Sequence, residues 1–230
     1  MKKIIILSGA GVSAESGIAT FRDADGLWEG HDVMEVASPQ GFENNPSLVL
    51  DFYNQRRAQL HTVEPNEAHY CIAALERNYE VHVITQNVDD LHERAGSTNV
   101  LHLHGELLKA RSTSNPSYIV DWTDDITVAD SCPEGSQMRP HIVWFGEEVP
   151  AMETAIELTA QADAVIIVGT SLQVYPAAGL MHYAPQETPI YLIDPRPNLK
   201  SNGNLTVIEE NASTGVRKAC DMIHLSLTNT

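Results

Sequence analysis

The stretch Ile4-Ile5-Ile6-Leu7-Ser8-Gly9-Ala10-Gly11-Val12-Ser13-Ala14-Glu15-Ser16-Gly17 constrains the fold of this chain more than any other. A short β-branched run breaks into small residues and restarts with helix-compatible ones. That pattern predicts a buried parallel strand turning tightly into a helix. Gly9 and Gly11 would let the backbone approach a phosphate, and Ala14 fills the third small position of a G-x-G-x-x-G/A fingerprint. Free N–H groups and the positive end of the helix dipole would then form an anion site. A plain strand–turn–helix without a ligand satisfies the same pattern.

Three further apolar runs read as buried strands: Val81–Thr85, Ala164–Gly169 and Ile190–Asp194. Each follows a helix-compatible stretch, around Ala68–Arg77, Met152–Gln161 and Ala177–Tyr183. Alternation of this kind implies a parallel sheet covered on both faces, an α/β fold of Rossmann type. Ligands in such sheets sit beyond the carboxyl ends of the strands. The residues found there are polar: Gln86-Asn87-Val88-Asp89, Thr170-Ser171 and Asp194-Pro195-Arg196. Two segments interrupt the alternation. One runs from about Asp23 to Glu64 and contains the helix-like Pro46–Leu60; the other, from about Lys109 to Arg139, is rich in Ser, Thr, Asp, Asn and Pro. Both read as insertions that build a small second lobe.

At 230 residues the chain can bury one sizeable core and carry such a lobe. A formal net charge of -17 would repel nucleic acid, and no basic, aromatic-interleaved patch opposes it. The three cysteines, Cys71, Cys132 and Cys220, form no C-x-x-C pair and suit a reducing, cytoplasmic compartment. Met1-Lys2-Lys3 resembles the start of a signal peptide, but the apolar run Ile4–Leu7 is too short for one. No segment approaches the ~20 apolar residues of a membrane span.

Several motifs together resemble the sirtuin family of NAD-dependent protein deacylases. They are Gly9-Ala10-Gly11-Val12-Ser13 with Thr20-Phe21-Arg22, then Thr85-Gln86-Asn87-Val88-Asp89 and His104-Gly105-Glu106. Val143-Trp144-Phe145-Gly146-Glu147 follows, and then Gly169-Thr170-Ser171-Leu172 with Val174 and Pro176. The resemblance implies a Rossmann-type NAD domain over residues 1–22, 65–108 and 140–230. It implies a small lobe over 23–64 and 109–139, a helical module plus a zinc-ribbon-like segment. An acylated lysine side chain of a protein would bind between them, its peptide extended as a strand between Val143–Glu147 and Leu172–Val174.

The same resemblance assigns roles. His104 matches the catalytic histidine, a general base suited to neutral pH. The nucleophile on the NAD ribose is the acyl oxygen of the substrate, and the base assists the ribose 2′-hydroxyl. Asn87 would position the ribose and a water, although Asn also favours strand-end turns. Asp89 would hold the nicotinamide amide, or serve as a helix N-terminal acid before Leu91. Gln86 would lie beside the ribose. Ser13, Thr170 and Ser171 would meet the diphosphate and nearby ribose, with Gly9, Ala10, Gly11, Ala14 and Gly169 shaping the turns. Asp194 would face the adenosine part, Ala212 would also bind the cofactor, and Thr20, Phe21 and Arg22 belong to the cofactor loop. His82, His92 and His102 read as core histidines instead.

Tyr53 and Arg56 sit three apart on a predicted helix and share a face. With Ala37 as a small pocket residue, they match the class III subgroup that takes acidic acyl groups. Arg can pair bidentately with a succinyl or malonyl carboxylate while Tyr donates a hydrogen bond; an exposed arginine paired with a neighbouring acid is the plainer alternative. Val143, Phe145, Gly146, Leu172 and Val174 would line the peptide site. Most sirtuins bind structural zinc through two cysteine pairs. In the corresponding region this chain offers only Cys132, with Ser112 where a first cysteine is expected, so no zinc is predicted. Packing of Tyr118, Ile119, Val120, Trp122 and Ile126 would hold that lobe. The alternative activities are mono-ADP-ribosyl transfer and NAD glycohydrolysis on the same scaffold. A dehydrogenase would need an acidic residue ≈ 20 positions past the glycines, where this chain has a polar loop.

Overall fold

The computed structural model describes residues 1–19, 27–28, 30–170, 172 and 177–228. Its strands are β1 (Lys3–Ser8), β2 (Leu27–Trp28), β3 (His31–Asp32), β4 (Glu80–Thr85), β5 (Val100–His102), β6 (Gly105–Ser112), β7 (Ile119–Asp121), β8 (Met138–Ile142), β9 (Ala164–Val168), β10 (Ile190–Ile193) and β11 (Leu205–Ile208). Its α-helices are α1 (Val33–Val36), α2 (Pro39–Asn44), α3 (Pro46–Leu60), α4 (Glu67–Leu75), α5 (Leu91–Arg94), α6 (Met152–Thr159) and α7 (Ala212–Thr228).

Six strands form one parallel sheet in the order β11-β10-β9-β1-β4-β5. The β-branched runs have the expected effect, because strands buried on both faces need apolar residues at every position. Ile4, Ile6, Val83 and Ile166 pack toward α4 and α7 through Ile72, Leu75, Val216 and Ile223. Ile5, Leu7, Val165 and Ile167 pack the other way, against Ala155 of α6 and Leu180. Residues Ala177–Tyr183, expected as an ordinary helix, form a 3-10 helix. From β1 the sheet grows through β4 to one edge and through β9 to the other. The switch point between β1 and β9 opens a crevice at the carboxyl ends, with Ser8 paired to both Thr85 and Val168.

One expectation fails at this crevice. No α-helix follows β1; the chain takes two short 3-10 turns, Ala10–Val12 and Ala14–Ser16, and ends them at Gly17 with φ of +95°. The anticipated helix dipole is therefore absent. The N–H groups expected to be free are also committed. Gly9 N–H donates to Val168 O at 3.0 Å, Gly11 to Gly169 O at 2.8 Å, Val12 to Gly9 O and Ser13 to Ala10 O.

Beside the sheet lie α1–α3 and an antiparallel three-stranded sheet, β7-β6-β8. Asn45 caps α3 by accepting the Leu48 N–H at 3.2 Å, with Pro46 at its first turn. Two polar side chains then pin α3 down. Buried Arg57 donates through Nε to Leu107 O at 3.2 Å, and Asn54 bonds both the N–H and the C=O of Ile126 at 2.9 Å. Ile126, Cys132, Leu50, Ala110 and Met138 form the outer cluster, flanked by Tyr118, Val120 and Trp122. Ile119 does not join it. Strand alternation turns its side chain outward beside Asp121, and it is exposed. Among the described residues no helix is long and apolar enough to cross a membrane.

Candidate active site

The turn after β1 and the turn after β9 are interlocked. A Cβ on Gly11 would sit 2.6 Å from the Gly169 Cα, and one on Gly9 would sit 2.8 Å from the Gly169 oxygen. Gly169 itself has φ of +65°. The glycines are thus demanded by backbone meeting backbone, a closer reason than the approach of a phosphate. Thr170 is buried, and its Oγ1 accepts the N–H of Leu172 at 3.2 Å. Leu172 is the one non-glycine among the described residues with positive φ, at 55°. Such a conformation costs about 1 kcal/mol or more and collects at functional sites. Beneath these turns a small cavity is lined by Leu7, Ser8, Ile84, Gln86, Leu103, Thr170, Leu172, Ala177 and Leu180.

Next to it, past the end of β4, three sequence-predicted residues form one hydrogen-bonded line. Asn87 Nδ2 donates to Ser13 Oγ at 3.1 Å, and Ser13 Oγ donates to Asp89 Oδ2 at 3.0 Å. All three are buried. Burial holds the Asp89 carboxyl above the usual carboxylate range despite its bonds to Leu91 N–H and Ser13. Asp89 therefore also serves the plainer role, since its Oδ1 accepts the Leu91 N–H at 3.2 Å at the start of α5. The line fixes the Asn87 amide, because its NH₂ end is committed to Ser13.

His104 lies between β5 and β6, half-buried. Its Nδ1 is 3.1 Å from Gln86 O. A carbonyl can only accept, so Nδ1 carries the proton and Nε2 keeps a lone pair. Burial lowers the His104 pKa, and the bond to Gln86 only partly offsets this. The neighbouring His102 behaves oppositely. Burial opposes its charge, but Glu93 at 2.8 Å and Asn87 O at 2.9 Å outweigh that and raise its pKa. His104 is thus the member of this pair fitted to accept a proton.

A second wall comes from residues 143–147. Val143 N–H donates to His104 O and Phe145 N–H to Ala37 O, both at 2.9 Å, so this segment touches the histidine and buried Ala37 together. Glu147 clamps it by accepting from Trp144 N at 2.8 Å, Arg139 at 2.7 Å and Arg111 at 3.0 Å. Arg139 stacks on the Trp144 ring, 3.2 Å from its centroid. The Trp144 indole then donates to the Tyr53 hydroxyl at 3.0 Å. Tyr53 is fully buried, which raises its pKa, and it stays neutral. Arg56, one turn on, lies over the Phe52 ring at 4.4 Å. Gly146 has φ of +92° and Phe145 is exposed at the rim.

The adenosine-side candidates lie on the far half of the sheet. Asp194, at the end of β10, is buried and accepts the Arg196 N–H at 2.8 Å. Ala212 opens α7, whose start is tied to the glycine turn by Glu15 accepting from Ser213 N at 2.8 Å. Thr20, Phe21, Arg22, Ser171 and Val174 lie outside the described residues. Glu147, Arg139 and Trp144 were missed as organising residues. The Val143–Glu147 motif contains Trp144 and Glu147, whereas Arg139 lies outside it and had no sequence signal.

The buried carboxyl and the cavity lie at the switch point, where sheets of this kind bind ligands; comparison with known proteins identifies the family. A protein of Helicobacter pylori (strain ATCC 700392 / 26695) named NAD-dependent protein deacylase is 59% identical over 213 residues, covering 92% of this chain and 93% of that protein. A Sir2 homologue solved with ADP-ribose superposes with a TM-score of 0.88 at 38% identity, covering 100% of this chain and 94% of that one. A Sir2 homolog–NAD complex gives 0.87 at 38% identity, covering 98% and 91%. Residues 9–176 match the Sir2 family, and with this site behind them the chain belongs to that family.

Proposed function

We propose that the protein is an NAD-dependent protein-lysine deacylase, removing succinyl and malonyl as well as acetyl groups. NAD is consumed to nicotinamide and 2′-O-acyl-ADP-ribose. The observation that carries this reading is the His104 ring, bound through Nδ1 to Gln86 O so that Nε2 keeps its lone pair, with the Asn87–Ser13–Asp89 line beginning at the residue after Gln86. The relatives' name supports it.

Bound NAD supplies an electrophilic ribose carbon. Asp89, with its raised pKa, is suited to hold the carboxamide, and Asn87 presents its carbonyl oxygen to the ribose and a water. Gly9, Ala10, Gly11, Ser13, Ala14, Gly169, Thr170 and Ser171 shape the diphosphate and ribose side, Gln86 flanks the ribose, Asp194 faces adenosine, and Ala212 also binds the cofactor. Thr20, Phe21 and Arg22 complete the cofactor site. Residues 1–22, 65–108 and 140–230 would form the NAD domain and 23–64 with 109–139 the small lobe. His104 Nε2, with its lone pair, would serve as the base for the ribose 2′-hydroxyl. The acyl-lysine peptide lies extended between Val143–Glu147 and Leu172–Val174. Ala37 leaves room for a longer acyl chain. Trp144 occupies one lone pair of the Tyr53 oxygen, so the Tyr53 proton is available to an acyl carboxylate, and Arg56 pairs with that carboxylate. Three unpaired cysteines fit a reducing cytoplasm.

One peptide carrying acetyl-, succinyl- or malonyl-lysine, incubated with NAD, tests this. Nicotinamide release and 2′-O-acyl-ADP-ribose are expected with all three, and Arg56→Met should lose the acidic acyl groups while keeping acetyl. ADP-ribose or modified protein as the main product would favour hydrolysis or ADP-ribosyl transfer. Unaltered succinyl-to-acetyl preference in Arg56→Met would remove the acyl-pocket assignment.

A further inference from the structure

Two histidines with no role so far stand behind the site. His69 of α4 and His92 of α5 are 0% and 1% exposed, with ring centroids 4.9 Å apart and planes at 65°. Each has one nitrogen bonded and one buried without a partner among the described residues: His69 Nε2 and His92 Nδ1. Buried polar atoms of this kind are costly and call for a reason.

The bonds that are made fix both tautomers. His69 Nδ1 accepts the backbone N–H of Asn66 at 3.2 Å, so its proton sits on Nε2. His92 Nε2 is 2.9 Å from Ser8 Oγ, and Ser8 donates its single proton to Thr85 Oγ1 at 2.9 Å. Nε2 of His92 must therefore be a donor, which leaves Nδ1 bare. The two orphan atoms are one donor and one acceptor on adjoining rings. With the ring centroids 4.9 Å apart, turning the rings brings the donor toward the acceptor. Burial drives both imidazoles toward the neutral form, His69 down to about 4 and His92 well below its ordinary value. The pair works through tautomers and not through charge.

We infer that His69 and His92 are positioning residues for Asn87, forming a one-way line of donors. It starts at the Asn66 N–H, at the head of α4, and passes through His69, His92 and Ser8 to Thr85 Oγ1. Thr85 Oγ1 in turn accepts the backbone N–H of Asn87 at 3.0 Å. The opposite tautomer of His92 would bring two N–H groups face to face and reverse the Ser8 hydroxyl, taking a donor away from Thr85. Asn66 ties the line to the glycine turn as well, since its Nδ2 donates to Val12 O at 2.8 Å and Ser16 Oγ at 3.0 Å. The inference rests on the reading of Asn87 as a residue of the deacylase site.

The test uses the full chain. Nitrogen-15 NMR of histidine-labelled protein near pH 7 should show both rings neutral with the proton on Nε2. Either ring as imidazolium, or protonated on Nδ1, would overturn the inference. His92→Leu should lower kcat for nicotinamide release by about tenfold or more, with KM for NAD within about twofold. His92→Gln, which offers a donor to Ser8 and an acceptor to His69, should restore most of it. An unchanged kcat in His92→Leu, or His92→Gln as impaired as His92→Leu, would equally overturn it. Should His92→Leu not fold, the tautomers in unaltered protein decide. A wild-type chain without NAD-dependent turnover would refute the deacylase reading alone, because the NMR measurement needs no turnover.

Discussion

His104 donates through Nδ1 to the carbonyl oxygen of Gln86 at 3.1 Å, and this one contact decides which ring nitrogen can act as a base. Burial lowers its pKa, so the neutral base persists into mildly acidic solution. The acidic limb of the kcat/KM profile should therefore fall below about 6.5 and not at or above it. His104→Ala should cost about 10²- to 10⁴-fold in deacylation. A pH–rate series on wild-type protein, with single-turnover assays of the variant, reads both.

The contact between the two glycine turns leaves no space for a methyl group. Gly11→Ala places its Cβ against the Gly169 backbone, which has no flexible end to yield. Overpacking of this kind costs about 1–3 kcal/mol. Urea denaturation should show that loss, and KM for NAD should rise because both turns border the proposed cofactor site. Normal stability together with normal KM would mean that the turns can separate freely.

Glu147 gathers Arg111, Arg139 and the Trp144 N–H into one carboxylate. Burial opposes its charge, but Arg139 and Trp144 outweigh this and hold its pKa below the ordinary value. Its contribution is complete above the unfolded value, near 4.3, and disappears as pH falls through the lower folded value. Glu147→Gln should destabilise the protein by about 2 kcal/mol at neutral pH, less than for a fully buried pair because the carboxylate is partly exposed. It should also raise KM for peptide more than KM for NAD, since the turn it holds borders the proposed peptide site.

In the outer cluster the Ser112 hydroxyl donates to Cys132 Sγ at 3.4 Å, and Ser114 donates to Ser136 at 2.6 Å. With one thiol and several hydroxyls in this cluster, no zinc is expected here. Prolonged chelation should leave melting temperature and activity unchanged. Elemental analysis showing one zinc per chain would contradict this.

Much of the main sheet could be read from the chain because its information is local. Ile4–Leu7 and Ala164–Val168 are uninterrupted β-branched runs, and only a doubly covered parallel strand needs them. The helix expected after Gly11 was wrong for a non-local reason. Gly169, 158 positions away in sequence, takes the Gly11 N–H and curls the chain into 3-10 turns. Arg57 was equally hidden, since an arginine on a helix reads as surface until Leu107 O is brought beside it. Ile119 failed through register, because hydrophobicity does not reveal which face of a short strand turns inward.

His104, Asn87 and Asp89 are candidates that the motifs name, while the groups that orient them carry no such signal. Ser13 meets Asn87 across 74 positions, and Trp144 meets Tyr53 across 91. Side-chain bonds over such separations have no periodicity to betray them.

Interlocking the Gly11 and Gly169 backbones has a mechanical outcome. The two loops that border the crevice meet like meshed teeth, so a displacement of either presses directly on its neighbour. Occupancy on one flank of the switch point would thereby be felt on the other without any hinge between them.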